Sequence, residues 1–518
     1  MKTSAEKSET NAAQLRLPKV CVAIQAGTPA EMFERAERAL KDARFLEFRL
    51  DSLARPSAAL ARLKSFLADH EGVTAIATCR RRANSGGFDG TIEEEMRILL
   101  RAARAGCRIV DLEVESAEEA AKARLERFRG GLRDAGAALL ISFHDFSRTR
   151  GLEQAADRIA AFAPDFVKVV STAQTLADNL AVLRLIEDRS VAMRVVGIAM
   201  GEEGLVSRVL GPRAGSAFTF ASLENGTETA PGQVSAKAMR ALYRADRLNA
   251  ETRVFGVAGN PIAHSLSPLM HNTAFRHEGV NAVLLPLKTR AAGDLLRLLV
   301  ELPMSGCAVT MPLKLEVMPH LAGMDPLVER IGACNTLRVG GDLKLQGYNT
   351  DVAGVVRPLE RRMKLKDARV AVLGAGGAAR AAVFGLVDAG AEVFVVNRTH
   401  ENAVALEKSA KAKALKQSEL ARQRFDAIIN STPCGMKGSK QAMPVAEDEL
   451  NAGLVFDMVY NPLETPLLKL AKARGLKTIS GLEMFVQQGA RQFEIWTGKT
   501  PPEDEMMRVV ERELRNRG

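Results

Sequence analysis

The chain has 518 residues, of which 47% are hydrophobic and 26% charged, with a formal net charge of +10. At roughly 100–200 residues per domain, this length predicts about three domains of ordinary globular composition. Basic residues are interleaved with acidic ones in both halves, and there are only 3 Tyr and 1 Trp. A nucleic-acid-binding protein would cluster its charge and supply stacking aromatics. No apolar run reaches the ~18 residues of a bilayer span, so we expect neither nucleic acid nor membrane as a partner.

The first 17 residues, MKTSAEKSETNAAQLRL, lack the hydrophobic stretch of a secretory signal and contain two glutamates, unlike a transit peptide. We expect them to form a frayed tail. The six cysteines are far apart and form no Cys-x-x-Cys pair, a pattern typical of buried free thiols in a reducing compartment. A cytoplasmic protein is therefore predicted. Clusters of His, Cys and Asp with metal-ligand spacing are missing from the sequence, so no metal is expected.

Up to about residue 242 the chain repeats one unit, a short β-branched run followed by an amphipathic, helix-forming stretch. The strand candidates are KVCVAI, FLEFRL, VTAIAT, RIVDLEV, ALLISF, DFVKVV, RVVGIA and SAFTFA. Alternating strand and helix patterns predict parallel strands, and eight of them in about 220 residues predict a closed (β/α)8 barrel. A doubly wound sheet is the alternative.

Polar residues interrupt these apolar runs late in the strands or just after them. They are Glu47, Arg49, Arg80, His144, Lys168 and Arg208. Active sites in such barrels lie at the C-terminal ends of the strands, so we expect these side chains to converge. Lys168 lies in the middle of its run, where an unpaired ammonium is costly and tends to lose its proton. The alternative is a lysine at a strand end whose amine reaches water.

The pattern changes after a polar, helix-like bridge at residues 241–252. TRVFGVAGNPIAHSLSPLMHNTAF predicts a strand, a Gly/Pro/Ser loop and a helix. ARVAVLGAGGAARAAVFGLVDAGAEVFVVNRT predicts a strand, a glycine turn, a helix and a second strand. Domain boundaries are therefore expected near residues 245 and 360.

The glycine turn at residues 374–377 directly follows an apolar strand and precedes a helix, which predicts a diphosphate site at the helix N-terminus. The second strand ends in Asn-Arg-Thr at 397–399, where NAD enzymes usually carry an acid. An arginine there can pair with a 2′-phosphate, so NADP is favoured over NAD. The alternative is an arginine in a surface loop.

Residues 18–240 resemble type I 3-dehydroquinate dehydratase through LEFRLD, TCR, ISFHDF, FVKVV, the Ser-Arg pair at 207–208 and APGQ at 230–233. The resemblance implies that Lys168 forms a Schiff base with the C3 ketone of the substrate and that His144 is the general base at C2. It assigns substrate binding to Glu47, Arg49, Arg80, Arg208, Thr229 and Gln233.

One stretch departs from that family's pattern. RRANSGGFDG has Ser85 directly before the Gly-Gly pair, where the family commonly has a glutamate that contacts the catalytic histidine. A neutral partner stabilises an imidazolium less, so we expect a lower apparent pKa for His144 than in relatives. Asp89 is the alternative partner, if the loop curves back to the histidine.

Residues 253–518 resemble shikimate dehydrogenase through GNPIAHSLSP, VTMPLK, GACNT, GYNTDVAG, GAGGAAR, NRT, DMVYNP and GLEMFVQQ. The resemblance implies that Lys314 and Asp351 are a catalytic pair, in which the lysine protonates the ketone oxygen that accepts hydride. It assigns substrate binding to Ser265, Ser267, Thr310, Asn335, Tyr460 and Gln488, although the serines of HSLS could instead cap a helix. It assigns NADP binding to Gly374, Ala375, Gly376, Gly377, Ala378, Asn397, Arg398, Thr399 and Met484.

The two resemblances together imply an α/β architecture of three domains. They are a barrel at 18–242, a shikimate-binding domain at 253–360 completed by helices at 483–518, and a Rossmann-type NADP-binding domain at 361–482. The implied activity is dehydration of 3-dehydroquinate to 3-dehydroshikimate, followed by NADPH-dependent reduction to shikimate. A non-catalytic regulator is a rival, which the retention of all four catalytic residues argues against. Quinate dehydrogenase is a rival for the second half, which the paired serines argue against. The oligomeric state is not predicted.

Overall fold

The computed structural model describes residues 15–224 and 226–517. Residues 1–14 of the expected N-terminal tail lie outside the described residues. The described residues divide into two compact units, those up to 252 together with 287–289, and 253–286 together with those from 290 onward. In the described part of the chain, no helix combines the length and the apolar character needed to cross a membrane.

The first unit is a parallel barrel of eight strands. They are β1 (Val20–Ile24), β2 (Phe45–Arg49), β3 (Thr74–Thr78), β4 (Ile109–Glu113), β5 (Ala138–His144), β6 (Phe166–Thr172), β7 (Val195–Met200) and β8 (Thr219–Ala221). Each strand pairs with its neighbours in the order β7-β6-β5-β4-β3-β2-β1-β8. The Ala217 N–H donates to the Val195 carbonyl at 2.8 Å, which joins the last strand to β7 and closes the barrel. The predicted barrel is confirmed, and the doubly wound alternative is wrong for this half.

Helices cover the outside of the barrel. They are α1 (Pro29–Ala39), α2 (Leu60–Asp69), α3 (Ile92–Arg104), α4 (Val114–Glu119), α5 (Lys122–Asp134), α6 (Leu152–Ala160), α7 (Asp178–Arg189) and α8 (Leu205–Ala214). The best-defined helix start is that of α3, where Thr91 and Glu94 each accept from the other's backbone N–H. Such a capping box satisfies two N–H groups that have no partner within the helix. Met96 and Leu99 then face the core.

The barrel interior is apolar at one end and polar at the other. Phe45, Phe166 and Phe218 pack together at the N-terminal end, with ring centroids 5.0 and 6.0 Å apart. Side chains two residues further along a strand point the same way, because successive residues of a strand face opposite sides. Glu47 and Lys168 therefore follow Phe45 and Phe166 into the interior, above this aromatic layer.

The second unit begins with a mixed sheet. Its strands are β9 (Arg253–Gly259), β10 (Ala282–Lys288), β11 (Met304–Val309), β12 (Gly323–Met324), β13 (Thr336–Val339) and β14 (Leu345–Tyr348), in the order β10-β9-β11-β13-β14-β12. The helices of this part are α9 (Ser267–His277), α10 (Ala292–Glu301), α11 (Leu313–Glu316), α12 (Pro326–Ile331) and α13 (Asp351–Glu360).

A six-stranded parallel sheet follows. Its strands are β15 (Arg369–Leu373), β16 (Glu392–Val396), β17 (Lys413–Leu415), β18 (Phe425–Asn430), β19 (Ala452–Asp457) and β20 (Lys477–Ile479). Its helices are α14 (Gly377–Asp388), α15 (His400–Ala410) and α16 (Pro466–Ala473). The strand order β17-β16-β15-β18-β19-β20 is that of a Rossmann fold. The last two helices, α17 (Gly481–Thr497) and α18 (Glu503–Arg517), pack with α9 and β9 in one apolar cluster.

Candidate active sites

A pocket at the C-terminal ends of the barrel strands contains the polar residues singled out in the first half of the sequence. Its polar lining is Glu47, Arg49, Arg80, His144, Lys168, Arg208, Thr229 and Gln233. Its apolar lining is Phe146, Val170, Ile198, Met200, Phe220 and Ala230. The expected convergence is therefore present, with the lining residues supplied by five strands (β2, β5, β6, β7 and β8), by helix α8 and by the loops after β3, β5 and β8.

Lys168 is buried in this pocket and is only 4% exposed. Its Nζ donates to Asp111 Oδ2 at 2.8 Å and lies 3.9 Å from Glu47 Oε1. It also lies 4.4 Å from the centroid of the Phe220 ring. The alternative of an amine that reaches bulk water is wrong. The amine has a buried carboxylate partner in Asp111, which the sequence pattern alone did not indicate.

Two acidic residues of the site, Asp111 and Glu113 on β4, were missed in the sequence. Ser142 Oγ lies 2.5 Å from Asp111 Oδ1 and 3.0 Å from Glu113 Oε1, so the hydroxyl links the two carboxylates. Both acids are buried. The signal was present in RIVDLEV, because acids two residues apart in an apolar strand share one face and must point into the barrel.

His144 lies between a carboxylate and a guanidinium. Its Nδ1 lies 3.2 Å from Glu113 Oε2, and its Nε2 lies 2.9 Å from Arg80 Nη2. A guanidinium can only donate, so Nε2 accepts and Nδ1 carries the proton. The pKa of His144 is lowered well below its ordinary value, first by burial and then by the charges of Arg80 and Lys168. The imidazole is therefore held neutral, with its basic nitrogen toward the pocket.

The loop that carries Ser85 does not supply the partner of this histidine. Ser85 follows a short turn with φ of +61°, and its N–H donates to the Arg82 carbonyl. Asp89 faces Arg82 at 3.9 Å, with a side chain that is 81% exposed. The expectation that His144 has only a neutral partner is therefore wrong, since Glu113 reaches it from the adjacent strand.

Arg208 differs from the other arginines of the pocket. It is 1% exposed, donates from Nη2 to the Pro231 carbonyl at 3.1 Å, and has no ion-pair or Nε partner among residues 15–224 and 226–517. Burial lowers its pKa to about 10. Arg49, by contrast, makes a bidentate pair with Asp51 at 3.0 and 2.8 Å. An uncompensated guanidinium that lines a pocket is a binding group for an anion such as a carboxylate.

Thr229 and Gln233 hold each other in the loop after β8. Gln233 Oε1 accepts from the Thr229 N–H at 2.8 Å, and its Nε2 donates to Thr229 Oγ1 at 3.0 Å. This pairing fixes the loop that also carries the carbonyl bound by Arg208.

The second unit brings Lys314 and Asp351 into direct contact. Lys314 Nζ donates to Asp351 Oδ2 at 2.6 Å. Asn335 Nδ2 donates to the other carboxylate oxygen at 2.8 Å, and its Oδ1 accepts from the Thr350 N–H. Asn335 was expected to bind ring hydroxyls of a substrate. In the structure its amide holds the carboxylate of the pair.

Three further predicted residues lie near the start of α9 and the end of β11. Ser265 Oγ accepts from the Ser267 N–H at 3.3 Å. The residue at the N-cap position of α9 is Leu266, so neither serine is a standard N-cap. Thr310 directly follows β11, and its methyl group faces Gly259, where a Cβ would lie 2.4 Å away.

Tyr460 and Gln488 meet the same residue of α17. The Tyr460 ring stacks on Phe485 with centroids 5.2 Å apart, and Gln488 Nε2 donates to the Phe485 carbonyl at 3.1 Å. Gln488 also lies against Gly354 in the first turn of α13, close in sequence to Asp351. The side-chain hydrogen bond of Gln488 runs to the neighbouring turn of its own helix rather than to the Lys314–Asp351 pair.

The glycine turn between β15 and α14 has the geometry of a phosphate site. Gly374 has φ of +113°, and a Cβ there would lie 2.6 Å from Ser431 Oγ, so this position requires glycine. Gly376 and Gly377 are exposed at the start of α14, where a Cβ would meet nothing within 4 Å. The backbone N–H groups of the helix start are thus open to an anion.

The Asn-Arg-Thr triplet lies beside this turn. The Gly374 N–H donates to the Val396 carbonyl at 2.7 Å, which joins the turn to the last residue of β16. Asn397 Nδ2 donates to the Thr399 carbonyl at 2.8 Å, and Arg398 is exposed between them. A glycine turn next to an exposed arginine fits a dinucleotide with a 2′-phosphate. The remaining residues assigned to the cofactor, Ala375, Ala378 and Met484, are half-buried.

Within residues 15–224 and 226–517, no group of three His, Cys, Asp or Glu side chains is placed to hold a metal ion.

Four family models match nearly the whole chain. Type I 3-dehydroquinase matches residues 20–250. The shikimate dehydrogenase substrate binding domain matches residues 257–337, and shikimate / quinate 5-dehydrogenase matches residues 358–448. The shikimate 5′-dehydrogenase C-terminal domain matches residues 481–511.

One of the similar proteins matches nearly the whole length of the chain, and others match about half of it. The chloroplastic bifunctional 3-dehydroquinate dehydratase/shikimate dehydrogenase of Arabidopsis thaliana is 32% identical over 94% of this chain and 83% of its own. The shikimate dehydrogenase (NADP(+)) of Bacillus cereus is 42% identical over 51% of this chain and 99% of its own. A crystal structure of shikimate dehydrogenase in complex with NADP+ is 37% identical, with a TM-score of 0.49, over 52% of this chain and 97% of that chain. The chain therefore belongs to the bifunctional 3-dehydroquinate dehydratase/shikimate dehydrogenase family, in which a lyase and an NADP-dependent oxidoreductase of the shikimate pathway share one polypeptide.

Proposed function

We propose that Lys168 dehydrates 3-dehydroquinate in the barrel and that Lys314 and Asp351 reduce the product, 3-dehydroshikimate, in the second unit. The observation that carries the proposal is the barrel pocket. It combines a buried amine, a neutral imidazole and a buried guanidinium that has no carboxylate partner in the described part of the chain. This combination suits a substrate that has a ketone, an acidic C–H bond and a carboxylate.

The dehydration starts at the lysine. Lys168 Nζ must lose a proton before it attacks, and Asp111 Oδ2 at 2.8 Å is its nearest acceptor. The free amine adds to the C3 carbonyl carbon, and the carbonyl oxygen leaves as water. The protonated imine that remains withdraws electrons from the C2–H bond better than a ketone does.

His144 then moves the proton. Its neutral Nε2 takes the proton from C2, the C1–C2 double bond forms, and the C1 hydroxyl leaves as water with that proton. Glu113 stabilises the imidazolium that forms in between, because it accepts from Nδ1. Water then hydrolyses the imine, which releases 3-dehydroshikimate and restores Lys168.

Substrate binding in the barrel follows the charges of the pocket. Arg208 takes the carboxylate, because it is buried and has no acid of its own. Arg80 turns from His144 Nε2 toward a substrate hydroxyl, which frees the basic nitrogen. The other groups that hold the substrate hydroxyls are Glu47, Arg49, Thr229 and Gln233.

In the second unit, Lys314 gives a proton to the ketone oxygen and Asp351 holds the ammonium in place. NADPH supplies the hydride when it is bound. The residues proposed to bind the substrate are Ser265, Ser267, Thr310, Asn335, Tyr460 and Gln488. The turn at 374–378 would hold the diphosphate of the cofactor, Arg398 would pair with its 2′-phosphate with Asn397 and Thr399 beside it, and Met484 would line the cofactor site.

The proposed domains are the barrel at 18–242, the shikimate-binding domain at 253–360 with helices at 483–518, and the NADP-binding domain at 361–482. We also propose a reducing compartment such as the cytoplasm, because all six cysteines are buried as free thiols. The proposed partners are the small substrates and the cofactor, with neither nucleic acid nor membrane.

Borohydride reduction tests the proposed lysine. Borohydride added to the full chain with 3-dehydroquinate should reduce the imine and leave a stable adduct on Lys168, located by peptide mass spectrometry. Dehydratase activity should be lost while dehydrogenase activity remains. The matched control is Lys168→Met, which should take up no label. A label on another lysine, or an unlabelled wild-type chain, would overturn the proposal.

A further inference from the structure

A row of buried polar side chains connects the core of the second unit to its proposed catalytic pair. It starts at His271 on α9, whose Nε2 lies 3.2 Å from Gln492 Oε1 on α17. Gln492 Nε2 donates to Thr336 Oγ1 at 3.1 Å. Thr336 Oγ1 donates to Asn335 Oδ1 at 2.8 Å. All four side chains are buried.

The row ends at the carboxylate. Asn335 Nδ2 donates to Asp351 Oδ1 at 2.8 Å, and Lys314 Nζ donates to Oδ2 at 2.6 Å. His271 is thus linked to Lys314 through five hydrogen bonds, although its partner Gln492 is 221 residues away in the sequence.

The donors of this row point in one direction. Each amide donates on the Asp351 side and accepts on the His271 side, so His271 must donate from Nε2. Its Nδ1 is then an unprotonated acceptor, and it has no partner within the described residues. A buried lone acceptor is tolerated better than a buried lone N–H. Hydrogen bonds aligned in this way polarise one another and favour the negative charge at their end.

The surroundings of His271 keep it in place and neutral. Its ring lies 5.1 Å from the Trp496 ring and 6.1 Å from the Phe275 ring, centroid to centroid. Gly489 faces it from α17, where a Cβ would lie 3.6 Å from Nε2. Burial lowers the pKa of His271 to about 4, so the imidazole stays uncharged at neutral pH.

We propose that His271 and Gln492 are positioning residues of the dehydrogenase site, which orient the Asp351 carboxylate and thereby hold Lys314 in its protonated, donating position. This inference rests on the proposed role of the Lys314–Asp351 pair. Neither residue touches the substrate. They act through Thr336 and Asn335, so their loss should affect the proton-transfer step more than substrate binding.

Gln487→Met supplies a matched control for Gln492→Met. Gln487 lies on the same helix, is equally buried, and makes one hydrogen bond, from Nε2 to Glu503 Oε2 at 2.6 Å. It is not part of the row. His271→Phe is the second test variant, because it keeps a ring against Trp496 and removes both nitrogens.

The full-length variants should be compared by thermal unfolding, by kcat and KM for the reduction of 3-dehydroshikimate with NADPH, and by the pH profile of that kcat. We expect Gln492→Met and His271→Phe each to lower kcat by roughly three- to tenfold, the equivalent of one neutral hydrogen bond, with little change in KM. In the pH profile of kcat for ketone reduction, the basic limb should move to lower pH, because the carboxylate of Asp351 holds the ammonium of Lys314 less firmly. The double variant should lose no more than the single ones, since both break the same row.

A merely structural role would give a different result. If Gln492→Met behaves like Gln487→Met, or if only the unfolding temperature falls and the pH profile stays in place, the inference is overturned. Lys314→Ala separates this failure from that of the proposed site. Full kcat in Lys314→Ala would show that the proposed catalytic pair itself is wrong.

Discussion

Substitution of Arg208 tests whether a residue of the barrel pocket lowers the stability of the free protein and at the same time binds the substrate. Arg208→Met removes a guanidinium that is 1% exposed and has no carboxylate partner in the described chain, while keeping a long, unbranched side chain in its place. We predict that this variant is more stable than the wild type and that it no longer binds substrate with useful affinity.

The magnitude follows from two opposed terms. Burial lowers the pKa of Arg208 to about 10, and at about 1.4 kcal/mol for each pH unit this is equivalent to about 3 kcal/mol of lost solvation. The variant also loses the hydrogen bond to the Pro231 carbonyl, which contributes about 1 kcal/mol. The net gain is about 2 kcal/mol, which for a unit of this size raises the unfolding temperature by roughly 4–8 °C.

Thermal unfolding of the full chain, with and without 3-dehydroquinate, measures both effects. The variant should unfold at a higher temperature than the wild type without substrate, and substrate should stabilise only the wild type. KM for 3-dehydroquinate should rise by at least roughly tenfold, since a charge-assisted bond to the substrate carboxylate is lost. Arg213→Met is the matched control. Arg213 is half-buried on the same helix and also donates to a carbonyl, that of Ala250.

Two results would refute the reasoning. A variant that is less stable than the wild type would show that the guanidinium is compensated in the free protein. An unchanged KM would show that another group binds the carboxylate. Arg213→Met should leave KM unchanged, which separates a pocket effect from a general effect of the substitution.

Four further substitutions test other residues of the chain. Glu113→Gln should lower the kcat of the dehydratase by roughly 10- to 100-fold through lost charge-assisted bonds; steady-state kinetics should show no such loss for Glu115→Gln, two residues along. Ser85→Glu should leave the acid limb of the dehydratase pH profile in place, and an upward shift would show that Glu113 is not the main partner of the catalytic histidine. Arg398→Ala should raise KM for NADPH by roughly 10- to 100-fold and barely change that for NADH, a comparison that equal losses would contradict. Burial raises the pKa of Glu95 to about 8, above its ordinary 4.5, so folding favours its protonated form. The stabilisation by the protonated Glu95 is complete below pH 4.5 and is lost as the pH rises through about 8. Denaturant unfolding across this range should show that the free energy of unfolding depends less on pH in Glu95→Gln than in the wild type.

The barrel could be predicted from the sequence because its signals are local. Each strand is a short β-branched run, and several polar side chains of the site lie within such a run or directly after it. Lys168 could be singled out for the same reason, since a charge in an apolar strand has few structural explanations. The parallel sheet β15–β20 could likewise be predicted from one glycine turn and its flanking strands.

The partners of these residues could not be predicted, because they depend on strand register. Glu113 pairs with Ser142 across β4 and β5, and this register brings its carboxylate to His144. The expectation based on Ser85 failed because it considered only the loop next in sequence. The same limit applies to the second unit, where Gln492 meets His271 only after α17 folds back onto α9.

The central claim is that one chain performs both reactions, the first through Lys168 and the second through Lys314. The most direct measurement supplies the purified chain with 3-dehydroquinate and NADPH and follows NADPH absorbance and shikimate formation. We expect NADPH to be consumed mole for mole with the shikimate formed. Lys168→Met should consume none from 3-dehydroquinate and consume it normally from 3-dehydroshikimate. NADPH consumption by Lys168→Met from 3-dehydroquinate, or none by the wild-type chain, would contradict the account.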